Sequence, residues 1–415
     1  MRRLLTEINY NLLCFALVVA LYIASCIPSI NVEYMNYGVM IICIFLNAVK
    51  NNGILNLLTV GKNRLLFVII VLAFIIFPFI QFIVYLNPYI IMNSFLYMIV
   101  VIYTMQVALD IVRNKNLETY ILLCFTVSLL ILFIQFLANP IQFFNLDNYT
   151  KIFDQETRVN YRLGFASSNT LAGLCFGTLT TSFFIRTRSE SLLKKLYVWG
   201  GRIFTLIYLL NTGSRTSVTA TALFVVVTLI FKFFWLFSEY EVSPKVLRGI
   251  KCFIFLLLGI SVLIILSNVL GTYSYEELDK LTSYRLSGWV NILDYIGKDY
   301  WLLGGGLLNP NNLFRGRFPI KLIADNWIFF MYIAYGAIGF LFAALFEGYY
   351  FIRGLLNIDS ICKIGTTMVF ALIVSKIFYS FFEIAFFTPS DYTSLLMIIL
   401  LYVGNTDVEC FEYLE

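Results

Sequence analysis

The chain has 415 residues, 60% of them hydrophobic and only 13% charged, with a formal net charge of +5. A soluble protein of this size could not hide that much apolar surface, and runs of about 20 apolar residues, each able to cross about 30 Å of hydrocarbon, recur along it. Composition therefore excludes a soluble enzyme and points to an all-α polytopic membrane protein.

There is no histidine, which removes the commonest metal ligand and the commonest general base. Chemistry must run on Asp, Glu, Arg, Lys, Tyr or hydroxyls, and no metal or cofactor is expected. The eight cysteines fall within apolar spans or near the inner face, so they imply no disulfide framework or metal site.

Met1-Arg2-Arg3 before a long apolar run resembles a signal peptide, but with so many later spans a retained first helix is expected. Apolar runs predict spans at 11–30, 34–49, 65–85, 90–112 and 117–137. A connection over 139–162 leads to a sixth span, 163–185, rich in small and polar residues that let helices approach closely. Further spans are predicted at 197–210, 216–237, 252–270, 327–352, 364–387 and 392–404, about twelve in all.

Lys and Arg concentrate in the connections on the side of the N-terminus, including Lys62, Arg64, Arg186, Lys194, Lys245 and Arg248. Both termini are then cytoplasmic. The division of the chain is 1–272, nine transmembrane helices; 273–326, a large extracytoplasmic loop; and 327–415, three further helices and a tail.

Outer-side basic residues run against the topology signal, and all fall in three connections. One holds Lys151, Arg158 and Arg162, one holds Arg215, and the long loop holds Lys280, Arg285, Lys298, Arg315, Arg317 and Lys321. Each connection feeds a helix entering from outside, whose N-terminus offers free N–H groups and partial positive charge to an anion. The motifs at these ends are Arg162-Leu163-Gly164 with Ser167-Ser168-Asn169, Gly213-Ser214-Arg215, and Asp325-Asn326. Arginine suits phosphate because its planar fork binds two oxygens at once. Arg162, Arg215 and Arg285 would make a diphosphate site at the outer surface.

Plainer readings stand beside these. Ser214 and Asn326 have the residue types of helix caps, and Asp325 reads equally as a cap or a base. Gly304-Gly305-Gly306 reads as a flexible turn, and Asn148-Tyr149-Thr150 matches a glycosylation sequon without a context that would use it. Leu286, Trp289, Val290, Leu293 and Ile296 recur at helical spacing, predicting a short surface helix. Trp289 is then an interfacial anchor or a stacking platform for a sugar. Lys376 and Glu383 lie inside a predicted span and on one helical face; they pair structurally or line a groove.

Four motifs in this order resemble those of the O-antigen polymerase and ligase superfamily, which includes capsule polymerases of Gram-positive bacteria. They are Arg162-Leu163-Gly164-Phe165 with Ser168-Asn169; Gly213-Ser214-Arg215-Thr216; Arg285 through Trp289 with the glycine triplet; and Asp325-Asn326 with Tyr335-Gly336 and Gly339. The resemblance implies a fold similar to the GT-C class of membrane glycosyltransferases in a bacterial inner membrane. It implies a polymerase that joins repeat units carried on undecaprenyl diphosphate, with Arg215, Arg285 and Asp325 catalytic and Arg158, Arg162, Asn169, Ser214, Trp289 and Asn326 at the substrate. Family ligases often carry His where this chain has Asp325, which favours polymerase and makes Asp325 the candidate base. Implied partners are the lipid-linked oligosaccharide, membrane lipids and a chain-length-regulating membrane protein, with no nucleic acid. A ligase and a lipid-linked oligosaccharide transporter are the alternatives.

Overall fold

The computed structural model describes residues 10–30, 32, 34–50, 71–140, 162, 164–187, 190–238, 271–282, 284–307, 326–357, 364–383, 395–400 and 403. Among them α-helix accounts for 83%, with no strand. The helices are α1 (Tyr10–Ser25) and α2 (Met35–Lys50); a π-helical turn, Leu72–Ile76, that runs into α3 (Phe77–Tyr85); α4 (Pro88–Asn114), α5 (Leu117–Ala138) and α6 (Ser168–Ser182); α7 (Leu192–Asn211) and α8 (Arg215–Ser238); α9 (Tyr275–Leu281) and α10 (Arg285–Asp299); α11 (Trp327–Asn357) and α12 (Ile364–Ser380).

Among the described residues, four stretches are long and apolar enough to cross a membrane: Pro88–Asn114, Leu117–Ala138, Arg215–Lys232 and Trp327–Ile352. Shorter apolar helices join them at Tyr10–Ser25, Met35–Val49, Leu72–Tyr85 and Thr367–Ser380. This is a multi-helix membrane protein. The predicted ninth span, 252–270, lies outside the described residues, as do 392–394, 401–402 and 404 of the last one.

Helix ends follow local chemistry. Asn87 caps α4 by accepting the Tyr89 N–H at 3.1 Å, with Pro88 in the first turn, where its missing N–H costs nothing. At α9, Ser274 and Glu277 form a capping box. The backbone N–H of Ser274, then its hydroxyl, holds the Glu277 carboxyl below the usual range.

Helix α6 is the centre of the bundle. Residues 171–182 are all buried, and the helix packs against α5, α7 and α8. Its small residues do what the sequence predicts: a Cβ on Gly173 would lie 2.9 Å from the Tyr379 hydroxyl. The helix is shorter than the predicted 163–185, because Gly164 at φ +87° turns the chain and Ser167 starts the helix.

The end of α6 is closed by a residue that the sequence reading did not single out. Arg202, on α7, is 6% exposed. Its Nη2 donates to the Ser182 carbonyl at 2.7 Å and its Nε to the Ser182 hydroxyl at 3.1 Å. The guanidinium also lies 4.5 Å and 4.7 Å from the Phe183 and Trp199 ring centroids. A cation on the carbonyl end of a helix is favourable. Arg202→Ala should cost about 3 kcal/mol of stability, and Arg202→Lys should recover little because it lacks the fork. Unfolding titrations in bicelles would check both.

Polar clasps tie the other helices. Asp110 accepts from Asn11 at 2.9 Å and Tyr120 at 2.7 Å, and Asn47 donates to Asn11 at 2.9 Å, joining α1, α2, α4 and α5. Lys194 bridges Glu118 at 2.9 Å and Glu190 at 3.3 Å. Partial burial works against the Lys194 ammonium, but Glu118 and then Glu190 raise its pKa on balance. The clasp therefore persists at neutral pH and is lost as pH rises through the lysine range.

Helix α11 departs most from expectation. Gly336 has φ 61° and ψ −150°, which is not helical. Contacts pair residues at similar distances on either side of it: Tyr332 with Phe340, ring centroids 6.2 Å apart, and Trp327 with Phe346, 5.7 Å apart. In a straight helix Trp327 and Phe346 would be about 28 Å apart. The two parts, 327–335 (α11a) and 337–357 (α11b), fold back on each other, so Trp327–Ile352 is not one straight crossing despite its length.

Residues 301–307 fill the break. Gly305 and Gly306 donate N–H to the carbonyls of Ile333 and Ala334 at 2.7 and 3.0 Å, and Ala337 donates to Trp301 at 2.7 Å. Carbonyls freed by the break are thereby satisfied inside the protein, as an apolar setting demands. The glycine triplet is thus a fitted wedge, a correction to its reading as a flexible turn. A Cβ on Gly304 would lie 2.5 Å from the Gly336 nitrogen.

Candidate functional site

The three motif-bearing helix starts lie at one end of the bundle. Helices α8 and α12 pack together, and Phe231 late in α8 meets Phe370 early in α12. They therefore run antiparallel, and Arg215 is at the same end as Ser380. Tyr379, next to that end, stacks on Phe176 of α6 with ring centroids 5.0 Å apart. Asn326, at the start of α11, donates through Nδ2 to the Phe381 carbonyl at 3.1 Å.

Each start is built by local caps. At α6, Ser167 accepts the Thr170 N–H at 3.1 Å, and the Ala166 N–H reaches back to the Cys26 carbonyl at 2.8 Å. Arg162 is exposed and Asn169 half-buried here. At α8, Gly213 takes φ +64°, and the buried Ser214 hydroxyl donates to Ser217 at 3.2 Å and accepts its N–H at 3.5 Å. Ser214 is a cap, and Arg215 beside it is half-buried on the first helical turn. At α11, Asn326 is 3% exposed and its Oδ1 accepts the Phe329 N–H at 3.1 Å. Both ends of the Asn326 amide are thus used within the protein.

The central group is Arg285, at the start of α10. Tyr284 precedes it at φ 63°, and the N–H of Ser287 in the first turn is taken by Asp279 of α9 at 2.9 Å. Arg285 Nη2 lies 3.1 Å from Glu383 Oε1, with the two side chains 13% and 17% exposed. Its guanidinium is also 5.8 Å from the Phe382 ring centroid. Helix α12 ends at Ser380, and a turn, with Phe382 and Glu383 N–H groups on the Tyr379 carbonyl, carries Glu383 to Arg285. Arg285, Asn326 and the turn 381–383 are therefore joined by direct contacts from three elements.

The other candidates sort around this group. Trp289 stacks on Phe329 with ring centroids 5.4 Å apart at 16°, so one of its faces is already covered. Arg162, Asn169, Ser214 and Arg215 sit on neighbouring helix ends; no contact among the described residues joins them to Arg285. Asp325 and Arg158 lie outside the described residues.

Lys376 and Glu383 do not share a helical face, since Glu383 follows the end of α12. Lys376 is 1% exposed, its Nζ 5.3 Å from the Tyr379 ring centroid and 5.9 Å from that of Phe176. A buried carboxylate inside a predicted span escaped the sequence reading: Glu347 on α11b, 6% exposed, accepts from the Ser380 hydroxyl at 2.7 Å. Its place inside an apolar run was the available signal. No group of three or more His, Cys, Asp or Glu suited to a metal occurs among the described residues.

No protein-family model matches the chain, and no curated protein is a significant match to it.

Proposed function

We propose that the chain is a bacterial plasma-membrane glycosyltransferase, a polysaccharide polymerase that moves glycan from one undecaprenyl-diphosphate-linked repeat unit to the acceptor sugar of another. The observation that supports this most is the convergence of Arg285, Asn326 and Glu383 at the end of the bundle where α6, α8 and α11 begin. Helix starts and arginines favour a diphosphate. A carboxylate beside the arginine supplies a place for a proton.

In this reading the acceptor hydroxyl oxygen bonds to the donor's anomeric carbon as the bond from that carbon to the phosphate oxygen breaks. Undecaprenyl diphosphate leaves with the electron pair, and the hydroxyl proton passes to a carboxylate. So good a leaving group needs charge stabilisation more than protonation, and Arg215 and Arg285 provide it without a metal. Asp325 is the candidate base from sequence; Glu383, 3.1 Å from Arg285, is the carboxylate that the structure adds. Glu383 also neutralises part of Arg285's charge, so an incoming diphosphate has to share or displace it.

The deciding experiment is turnover by purified protein with a synthetic lipid-linked repeat unit. A ladder of lengthening polymer is expected, and its absence under conditions that preserve the fold overturns the proposal. Asp325→Asn should lower kcat about 10²–10⁴-fold with little change in KM if Asp325 is the base; wild-type turnover would leave it as a cap alone.

The break in α11 favours a second reading, a transporter of lipid-linked oligosaccharide, because interrupted helices are a transporter device. Vesicles that translocate the lipid-linked unit without lengthening it would select that reading. A ligase is separated from both by gene deletion: long unattached chains accumulate instead of single repeat units.

A further inference from the structure

Two buried amides stand around the wedge in α11, away from Arg285. Gln81 of α3 is 0% exposed and Asn93 of α4 is 5% exposed. Gln81 Nε2 donates to the carbonyls of Leu303 and Ala334, and Asn93 Nδ2 donates to the Leu307 carbonyl at 2.9 Å. These bonds fix the orientation of both side chains, because a flipped amide would set oxygen against a carbonyl oxygen. The amide oxygens, Gln81 Oε1 and Asn93 Oδ1, are buried, and no described residue donates to either.

The two amides hold neighbouring residues of one short segment. Ala334's carbonyl accepts from both Gln81 and Gly306, while Asn93 holds Leu307, the next residue. Three helices also end here. Helix α3 ends at Tyr85, whose ring lies 5.2 Å from that of Tyr300, just after α10. Helix α11a ends at the break, one residue before Gly336. Each helix C-terminus carries roughly half a negative charge, and the starts of α4 at Pro88 and of α11b at Ala337 oppose them in part. Lys298, in the last turn of α10, is exposed to solvent.

Three helix ends against two starts leave a net partial negative charge beside two buried oxygens to which no described residue donates. We propose that this place is a binding site for a small monovalent cation, Na⁺, held by Gln81 Oε1, Asn93 Oδ1 and the remaining lone pairs of the wedge carbonyls. The donors are all neutral oxygens, whereas divalent ions such as Ca²⁺ draw on carboxylates. Unwound carbonyls beside a half-helix C-terminus are a known way of holding Na⁺ inside a membrane. The ion locks 301–307 into the break and so sets the fold of α11.

The test is thermal unfolding of the purified full chain in lipid nanodiscs, titrated with Na⁺ against choline at constant ionic strength. Na⁺ should raise Tm by about 2–4 °C at saturation. Asn93→Leu should abolish that shift, whatever its own Tm. Asn93→Asp keeps one oxygen and adds charge but sets its second oxygen against the Leu307 carbonyl, so it depends more on the cation and its Na⁺ shift should exceed that of the wild type. Equal Tm in Na⁺ and choline means that the oxygens are served by water alone and overturns the proposal. An Na⁺ shift unchanged in both variants places the ion elsewhere and overturns it as well. If Asn93→Leu does not fold, Asn93→Asp alone decides.

Discussion

Arg285→Ala should stop polymer formation, with kcat lower by about 10²–10³-fold, the usual consequence of removing one group that stabilises developing charge. The salt bridge to Glu383 complicates a single substitution, because it leaves a half-buried carboxylate without its partner at 3.1 Å. The double variant Arg285→Ala/Glu383→Ala, read beside Glu383→Ala alone, separates the two effects. If the pair only holds the α12 turn against α10, the double variant regains both stability and turnover. If Arg285 meets the diphosphate, stability returns and turnover does not. Polymer of normal length and amount from Arg285→Ala would remove Arg285 from the site. Arg215→Ala carries less ambiguity, since Arg215 forms no ion pair among the described residues, and it should lose turnover while remaining in the membrane.

The second large effect is structural. Gly336→Ala should cost about 4 kcal/mol or more and leave little folded protein. A Cβ there would lie 2.5 Å from the Leu302 carbonyl carbon and oxygen, at a backbone φ of 61° and ψ of −150° that only glycine adopts readily. Neither neighbour is a flexible side chain that can move aside. Gly304→Ala meets the same obstacle from the other side, at Gly336 and Tyr335. Gly348→Ala serves as the control, with open space around the added methyl group, and should behave as wild type. Yield of monodisperse protein after solubilisation reads all three; normal yield from Gly336→Ala would mean that α11 does not need its break.

Much of the helix layout is legible in the sequence, because apolar runs of the right length bounded by charge or by Asn-Pro mark their own ends. The predicted 90–112 and 117–137 become Pro88–Asn114 and Leu117–Ala138. Caps are legible too, since Ser214 and Asn326 have the residue types that accept N–H groups, and both do so. The reversal in α11 is not legible. Its residues are apolar on both sides of Gly336, and the segment that completes it, 301–307, lies about thirty residues earlier in the chain. Hydropathy sees one long span, and only the distant hydrogen bonds from Gly305 and Gly306 show otherwise. Glu383 escaped for a different reason: helical spacing from Lys376 put both on one face, but α12 stops at Ser380 and the following turn points Glu383 at Arg285. Arg202 and Glu347 are single charges in apolar runs, and their partners, Ser182 and Ser380, carry no charge that would have signalled a pairing.

Helix α6 has a consequence for how the protein is made. It is buried along residues 171–182, only 15 residues long, and carries serine and threonine hydroxyls at Ser168, Thr178, Thr180, Thr181 and Ser182. It is absent from the set of long or short apolar helices. Such a segment gains little on entering lipid by itself, so it has to be accepted into the bilayer together with α5, α7 and α8, after they have emerged from the ribosome. A nascent chain arrested just beyond α6 should leave that segment in water, whereas one arrested beyond α8 should carry it into the bilayer.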